Sequence, residues 1–193
     1  MNLAHSVPLC LASMILAAHP AAAQHQGAES MQGHPPAASA TTASPSPYAG
    51  MEQRRVKALS DQQIADLNAG HGMSLALAAE LNGYPGPLHV LELADALQLS
   101  DRQRSRTNML VEVMKAETIP IGKTIFSEES TLDRLFSERD VTRASLDAAV
   151  ARISAAQGQL RASHLRYHLA MVEVLSPAQI ALYAKLRGYT VDP

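Results

Sequence analysis

Leu99-Ser100-Asp101-Arg102-Gln103 is the stretch that decides the fold, and it recurs as Leu59-Ser60-Asp61-Gln62-Gln63 and Leu175-Ser176-Pro177-Ala178-Gln179. Each copy reads as a helix start. The serine hydroxyl accepts from a first-turn N–H, and the glutamine three residues on reaches back to the serine N–H. Such a cap is worth about 1 kcal/mol. The leucine in front holds the staple position, facing Ile64 and Ile180 in the outer copies and the stem of Arg104 in the middle one.

Working outward from these starts, the chain reads as helix throughout. Ser60 to Ala69 forms a short helix closed by Gly70 and Gly72, and Met73 to Leu81 a second, ended by Asn82-Gly83. After the Tyr84-Pro85-Gly86-Pro87 turn, Pro87 opens a helix carrying Leu88, Leu91, Leu93, Ala94 and Leu97. From Asp101 to about Ser137 runs a long helix, with Pro120 and Gly122 predicting a kink. Thr142 to Val174 is a second long helix. Its stripe is Leu146, Ala149, Ile153, Leu160, His164, Tyr167, Met171 and Val174. The third box starts a closing helix that stops at Gly188. The expected fold is all-α: a long kinked antiparallel hairpin with short flanking helices. A two-helix hairpin leaves apolar faces uncovered, so a homodimer is expected.

Ahead of the domain at 48–193, residues 1–23 read as a signal peptide. Val7 to Ala18 is apolar, and Ala21-Ala22-Ala23 is a small-residue cleavage pattern. The run is shorter than the ~20 apolar residues of a membrane span. Residues 24–47, rich in Ala, Ser and Pro, read as a disordered tether. Cleavage after Ala23 removes Cys10, the one cysteine, and predicts export to the periplasm without thiol chemistry or membrane insertion. A net charge of −2 supplies no basic block for nucleic acid.

Catalytic signatures are missing, and no enzymatic activity is expected. Gly122-Lys123-Thr124 looks like the tail of a phosphate-binding loop, but Glu117 stands where its first glycine belongs. The chemistry lies in His164-Leu165-Arg166-Tyr167-His168-Leu169-Ala170-Met171. Histidines four apart share one helix face, so both imidazoles can hold one ion, with the Met171 thioether on the same side. Nitrogen with a thioether suits zinc, nickel, cobalt or copper. Missing ligands would come from His71, His89, Glu92, Met73 or a dimer partner. His25, Met31 and His34 in the tether offer a lesser set. Against this, a stripe histidine is ordinarily a satisfied core residue, and Met171 there is ordinary packing.

An exported, all-helical chain with repeated Leu-Ser-x-x-Gln boxes resembles the Spy/CpxP-like periplasmic family of stress chaperones, heavy-metal sensors and zinc-resistance proteins. The resemblance spans about residues 59–188 and rests mainly on the boxes at 99–103 and 175–179. It implies a bent dimeric hairpin in the periplasm that binds unfolded proteins, a membrane sensor kinase or metal ions, without catalysis. The balanced charge departs from the basic concave surface of the chaperone members. His164, His168 and Met171 are similar in kind to the ligands of the metal-sensing members.

Overall fold

The computed structural model describes residues 46–189. The leader and nearly all of the tether, with Cys10, His25, Met31 and His34, lie outside them. Among the described residues there is no strand, only an isolated bridge between Val56 and Leu59. Six α-helices follow in order: α1 (Asp61–Ala69), α2 (Leu77–Glu80), α3 (Pro87–Glu92), α4 (Asp101–Ser137), α5 (Arg143–Val172) and α6 (Pro177–Leu186). α4 and α5 form the antiparallel hairpin, and the short helices pack along it, α1 and α3 on α4 and α2 on α5. No described helix is long and apolar enough to cross a membrane.

All three Leu-Ser-x-x-Gln boxes form closed capping boxes, at α1, α4 and α6. Leu59 and Ile64 share one apolar cluster, and Leu175 and Ile180 share the other. A fourth box, Thr142 with Ser145, starts α5 without the leucine or the glutamine. The second and third boxes are also joined to each other. The Gln103 amide nitrogen donates to Gln179 Oε1 at 2.8 Å, and the Gln179 amide nitrogen donates back to Gln103 Oε1 at 3.2 Å. The same two nitrogens reach the Val174 carbonyl at 3.0 Å and the Leu97 carbonyl at 3.1 Å. Each glutamine therefore caps its own helix and ties the start of α4 to the junction of α5 and α6. Glutamate would cap equally well but would oppose two carboxylates here. A Gln103→Ala/Gln179→Ala double-mutant cycle in urea is expected to show a coupling of about 1 kcal/mol. Additive losses would break the link between the boxes.

The backbone departs from the apolar pattern at α2 and α3. Met73 to Ala76 is turn, not helix, because Met73 and Ser74 take φ of 43° and 65° in the left-handed region. That backbone cannot continue a helix, so α2 shrinks to Leu77–Glu80. α3 likewise ends at Glu92, and a turn with Gln98 at φ 50° leads to the second box. α4, by contrast, runs unbroken through Pro120. Two residues on, Gly122 shows why a small residue is needed. A Cβ there would stand 2.3 Å from the Leu67 carbonyl oxygen, so α1 crosses α4 backbone to backbone. The apparent phosphate-loop tail is a helix crossing.

The core has two centres. One gathers Val90, Leu97, Leu110, Met114, Tyr167, Met171 and Tyr183 where α3, α4, α5 and α6 meet. The other gathers Val56, Leu59, Ile64, Leu67, Ile125, Ala156 and Leu160 under α1. On α5 the first centre begins at Tyr167 and the second ends at Leu160. His164 lies between them, and His168 one turn further on, next to Tyr167.

Candidate metal centre

His164 and His168 are both buried, at 4% and 8% exposure, and both line a cavity of about 430 Å³. Its walls come from the Gly70–Ser74 loop, α2, the start of α3, Met114 and Lys115 of α4, and Arg187 and Tyr189 beyond α6. His71 and His89 line it too. The fold thus brings four of the histidines singled out from sequence to one cavity. It places Met171 elsewhere: that side chain is fully buried in the first apolar centre and does not line the cavity. Met73 does line it.

The orientation of the rings follows from what their Nδ1 atoms meet. His168 Nδ1 lies 2.7 Å from the Tyr84 carbonyl oxygen. A carbonyl only accepts, so this Nδ1 carries the proton and the neutral ring keeps its lone pair on Nε2. His71 Nδ1 meets Asp66 Oδ1 at 2.9 Å, and His89 Nδ1 meets Glu92 Oε2 at 3.0 Å. The hydrogen bond to His71 is the main cause that holds the Asp66 carboxyl below its usual value. Carboxylate or carbonyl on one ring nitrogen with the other left open is the arrangement that orients metal-ligating histidines. Glu92 is thus a partner of His89, not a free ligand.

His164 differs from the other three. Its Nε2 is buried and has no hydrogen-bond partner. An orphaned buried nitrogen costs roughly 1–3 kcal/mol, so it calls for an explanation. Burial, then the neighbouring His168, push the pKa of the ring down, against the pull of Glu117 and the His71 backbone carbonyl beside it. The ring is therefore neutral at neutral pH, the form that ligates a metal. One other buried side-chain atom lacks a partner among the described residues, Ser163 Oγ. Although outside hydrogen-bond geometry, it sits beside the Glu117 carboxylate and favours its charged form. Burial pushes that carboxyl up, but Tyr167 (2.9 Å from its Oε2), Ser163 and Arg166 outweigh it and the net shift is down.

Behind His168 stands Glu80, a residue that sequence reading passed over. The residue is 7% exposed. Oε2 accepts from the Gly86 N–H at 3.1 Å and lies 3.6 Å from His168 Nδ1. Oε1 accepts from the Tyr183 hydroxyl and lies 4.0 Å from Arg187 Nε. Burial first, then this carboxylate, push the Tyr183 hydroxyl well above its usual pKa. One carboxylate therefore joins α2, the turn before α3, α5 and α6. The signal was present in the sequence: Glu80 is the lone acid in the apolar run Met73–Leu81. Gly86 completes the wall, since a Cβ there would stand 3.0 Å from the His168 ring.

The donor chemistry fits a borderline ion such as zinc, nickel, cobalt or copper, with His164 and His168 as the inner pair. Among the described residues no three His, Cys, Asp or Glu side chains are close enough to share one ion. Two imidazoles would leave coordination positions open to ligands from outside the chain.

Comparison with known proteins adds one finding. Residues 82–181, just over half of the chain, match the profile of the heavy-metal resistance family, which is related to the Spy/CpxP-like proteins. The matched segment holds His89, His164, His168 and Met171, and leaves His71 and Glu80 outside. No curated protein and no solved structure matches the chain. By the matched segment, which takes in the second and third boxes and the whole hairpin, the chain belongs to the heavy-metal resistance family.

Proposed function

We propose that this protein is a non-enzymatic, exported metal-responsive binding protein that takes a divalent transition ion (zinc, nickel, cobalt or copper) in the cavity faced by His164 and His168. The observation that carries the reading is the buried, unpartnered, neutral His164 Nε2 beside an oriented His168. Membership of the heavy-metal resistance family supports it. Ion binding would draw on the loop at His71 and on the Glu80 network, and so change how α2 and α6 sit on the hairpin. That change is what a signalling partner, such as a membrane sensor kinase, would read.

The test is calorimetric titration of zinc or nickel into the protein and into a His164→Leu/His168→Leu variant. The variant is expected to lose roughly 100-fold or more in affinity, since two ligands are removed. Equal affinity would remove these residues as ligands.

A second reading, capture of unfolded protein, is favoured by apolar side chains left exposed on the hairpin, among them Met109, Val113 and Leu169 at 47–57%. A homodimer would cover part of that surface. Under this reading the protein suppresses aggregation of a denatured test protein at near-stoichiometric amounts. No suppression at several-fold excess would eliminate it.

A further inference from the structure

We infer that the cavity takes its ion together with a small organic carboxylate, which bridges the open coordination positions to Lys115. The inference rests on the metal reading of this cavity and names what completes that site. Three observations carry it. The cavity, at about 430 Å³, is far larger than an ion needs, since one water occupies about 30 Å³. The protein side chains stop at an inner pair of imidazoles, with no third His, Cys, Asp or Glu close enough to join them among the described residues. The charge of the walls points the same way. Lys115 and Arg187 line the cavity against one lining carboxylate, Glu80. The carboxylates behind the lining histidines are already engaged, Asp66 by His71, Glu92 by His89 and Arg187, and Glu117 by Tyr167 and Arg166.

Glu80 is not available to neutralise an ion. Its two oxygens already serve the Gly86 N–H and the Tyr183 hydroxyl. Arg187 is engaged by Glu80 at 4.0 Å and Glu92 at 3.8 Å. Lys115 has no ion pair among the described residues. A divalent ion on neutral imidazoles would therefore add two positive charges beside an unpaired ammonium, a costly arrangement in a partly buried site. An anionic chelate removes that cost. Its carboxylate oxygens fill the open positions, a free carboxylate meets Lys115, and its carbon body lies against Met73, Ala76, Leu77 and Leu88. Inorganic anions would neutralise the charge but leave the apolar wall unused.

The experiment is equilibrium dialysis of the full-length chain with nickel and radiolabelled citrate at equal concentrations, against nickel in chloride and nickel in phosphate. Nickel and citrate are expected to be retained together, about one of each per chain. Lys115→Ala is expected to lose about tenfold in affinity for the chelate, the size of one charged hydrogen bond, and to bind nickel in chloride more tightly than the wild type, because the ammonium facing the ion is gone. Nickel retained without citrate, citrate retained equally without nickel, or a Lys115→Ala variant that keeps both would overturn the inference. No nickel retained by the wild type in any of the three buffers would instead overturn the metal reading beneath it.

Discussion

Glu80→Ala is expected to destabilise the protein by about 3–5 kcal/mol, the range for removing one partner from a buried charged network. The loss would leave the Gly86 N–H and the Tyr183 hydroxyl without acceptors, and Arg187 and His168 without the nearby charge. Each lost hydrogen bond to a charged group accounts for roughly 1.5–3 kcal/mol. Glu80→Gln keeps the shape and an oxygen acceptor, and is expected to cost less than half as much. Urea unfolding measures both. Because Glu80 holds α6 through Tyr183, hydrogen exchange in residues 177–186 should also rise more than in α4. Equal stability of Glu80→Ala and wild type would mean that water satisfies these groups and that the carboxylate does not organise the cavity wall.

Gly122→Ala is expected to cost about 2 kcal/mol although alanine is the better helix former. The propensity gain is about 1 kcal/mol. Against it stands a Cβ placed 2.3 Å from the Leu67 carbonyl oxygen, with the Leu67 Cα and carbonyl carbon within 3.2 Å. These are backbone atoms, so α1 must shift as a unit, and overpacking of that kind costs roughly 1–3 kcal/mol, occasionally more. Gly158→Ala provides the control. Gly158 lies within α5, exposed, with no atom within 4 Å of an added Cβ. There the propensity gain is unopposed, and the protein should gain about 1 kcal/mol. The two substitutions are chemically identical and should move the urea midpoint in opposite directions. A rise for both would mean that α1 does not cross α4 at Gly122. The shift of α1 also displaces the Gly70–Ser74 loop, so Gly122→Ala should weaken metal binding without touching a ligand.

Much of the architecture was legible because capping is local chemistry. A serine and a glutamine three residues apart define a helix start without knowledge of the rest of the chain, and all three boxes do so. The hairpin followed from the apolar stripe between the second and third boxes. What stayed hidden depends on contacts across long sequence separations. The Gln103–Gln179 pair joins positions in two boxes that, taken one at a time, ask only for a capping partner. Gly122 looked like a helix breaker and is a close crossing, which only the path of α1 reveals. Met73 to Ala76 has helical composition, yet the chain turns there with two residues in the left-handed region.

The candidate site divides in the same way. His164 and His168 were visible as a pair at helical spacing, and the fold turns both toward one cavity. His71 and His89 were isolated in the sequence and gain meaning from lining that cavity with carboxylates on their Nδ1 atoms. Met171 shares the helix face by spacing, but one further turn along α5 carries it into the apolar centre around Tyr183 and Leu97. Glu80 and Lys115 could not be assigned from spacing, because their roles come from facing α5 and α6 across the cavity.

The central claim is that the ion binds at His164 and His168 within the folded domain, not at the histidines of the tether. Long-range proton–nitrogen NMR of the imidazole rings tests it most directly. Zinc titration is expected to move the Nε2 signals of His164 and His168 together, at one ion per chain, with Nδ1 of His168 still protonated. Unchanged signals from this pair while those of His25 and His34 move would contradict it.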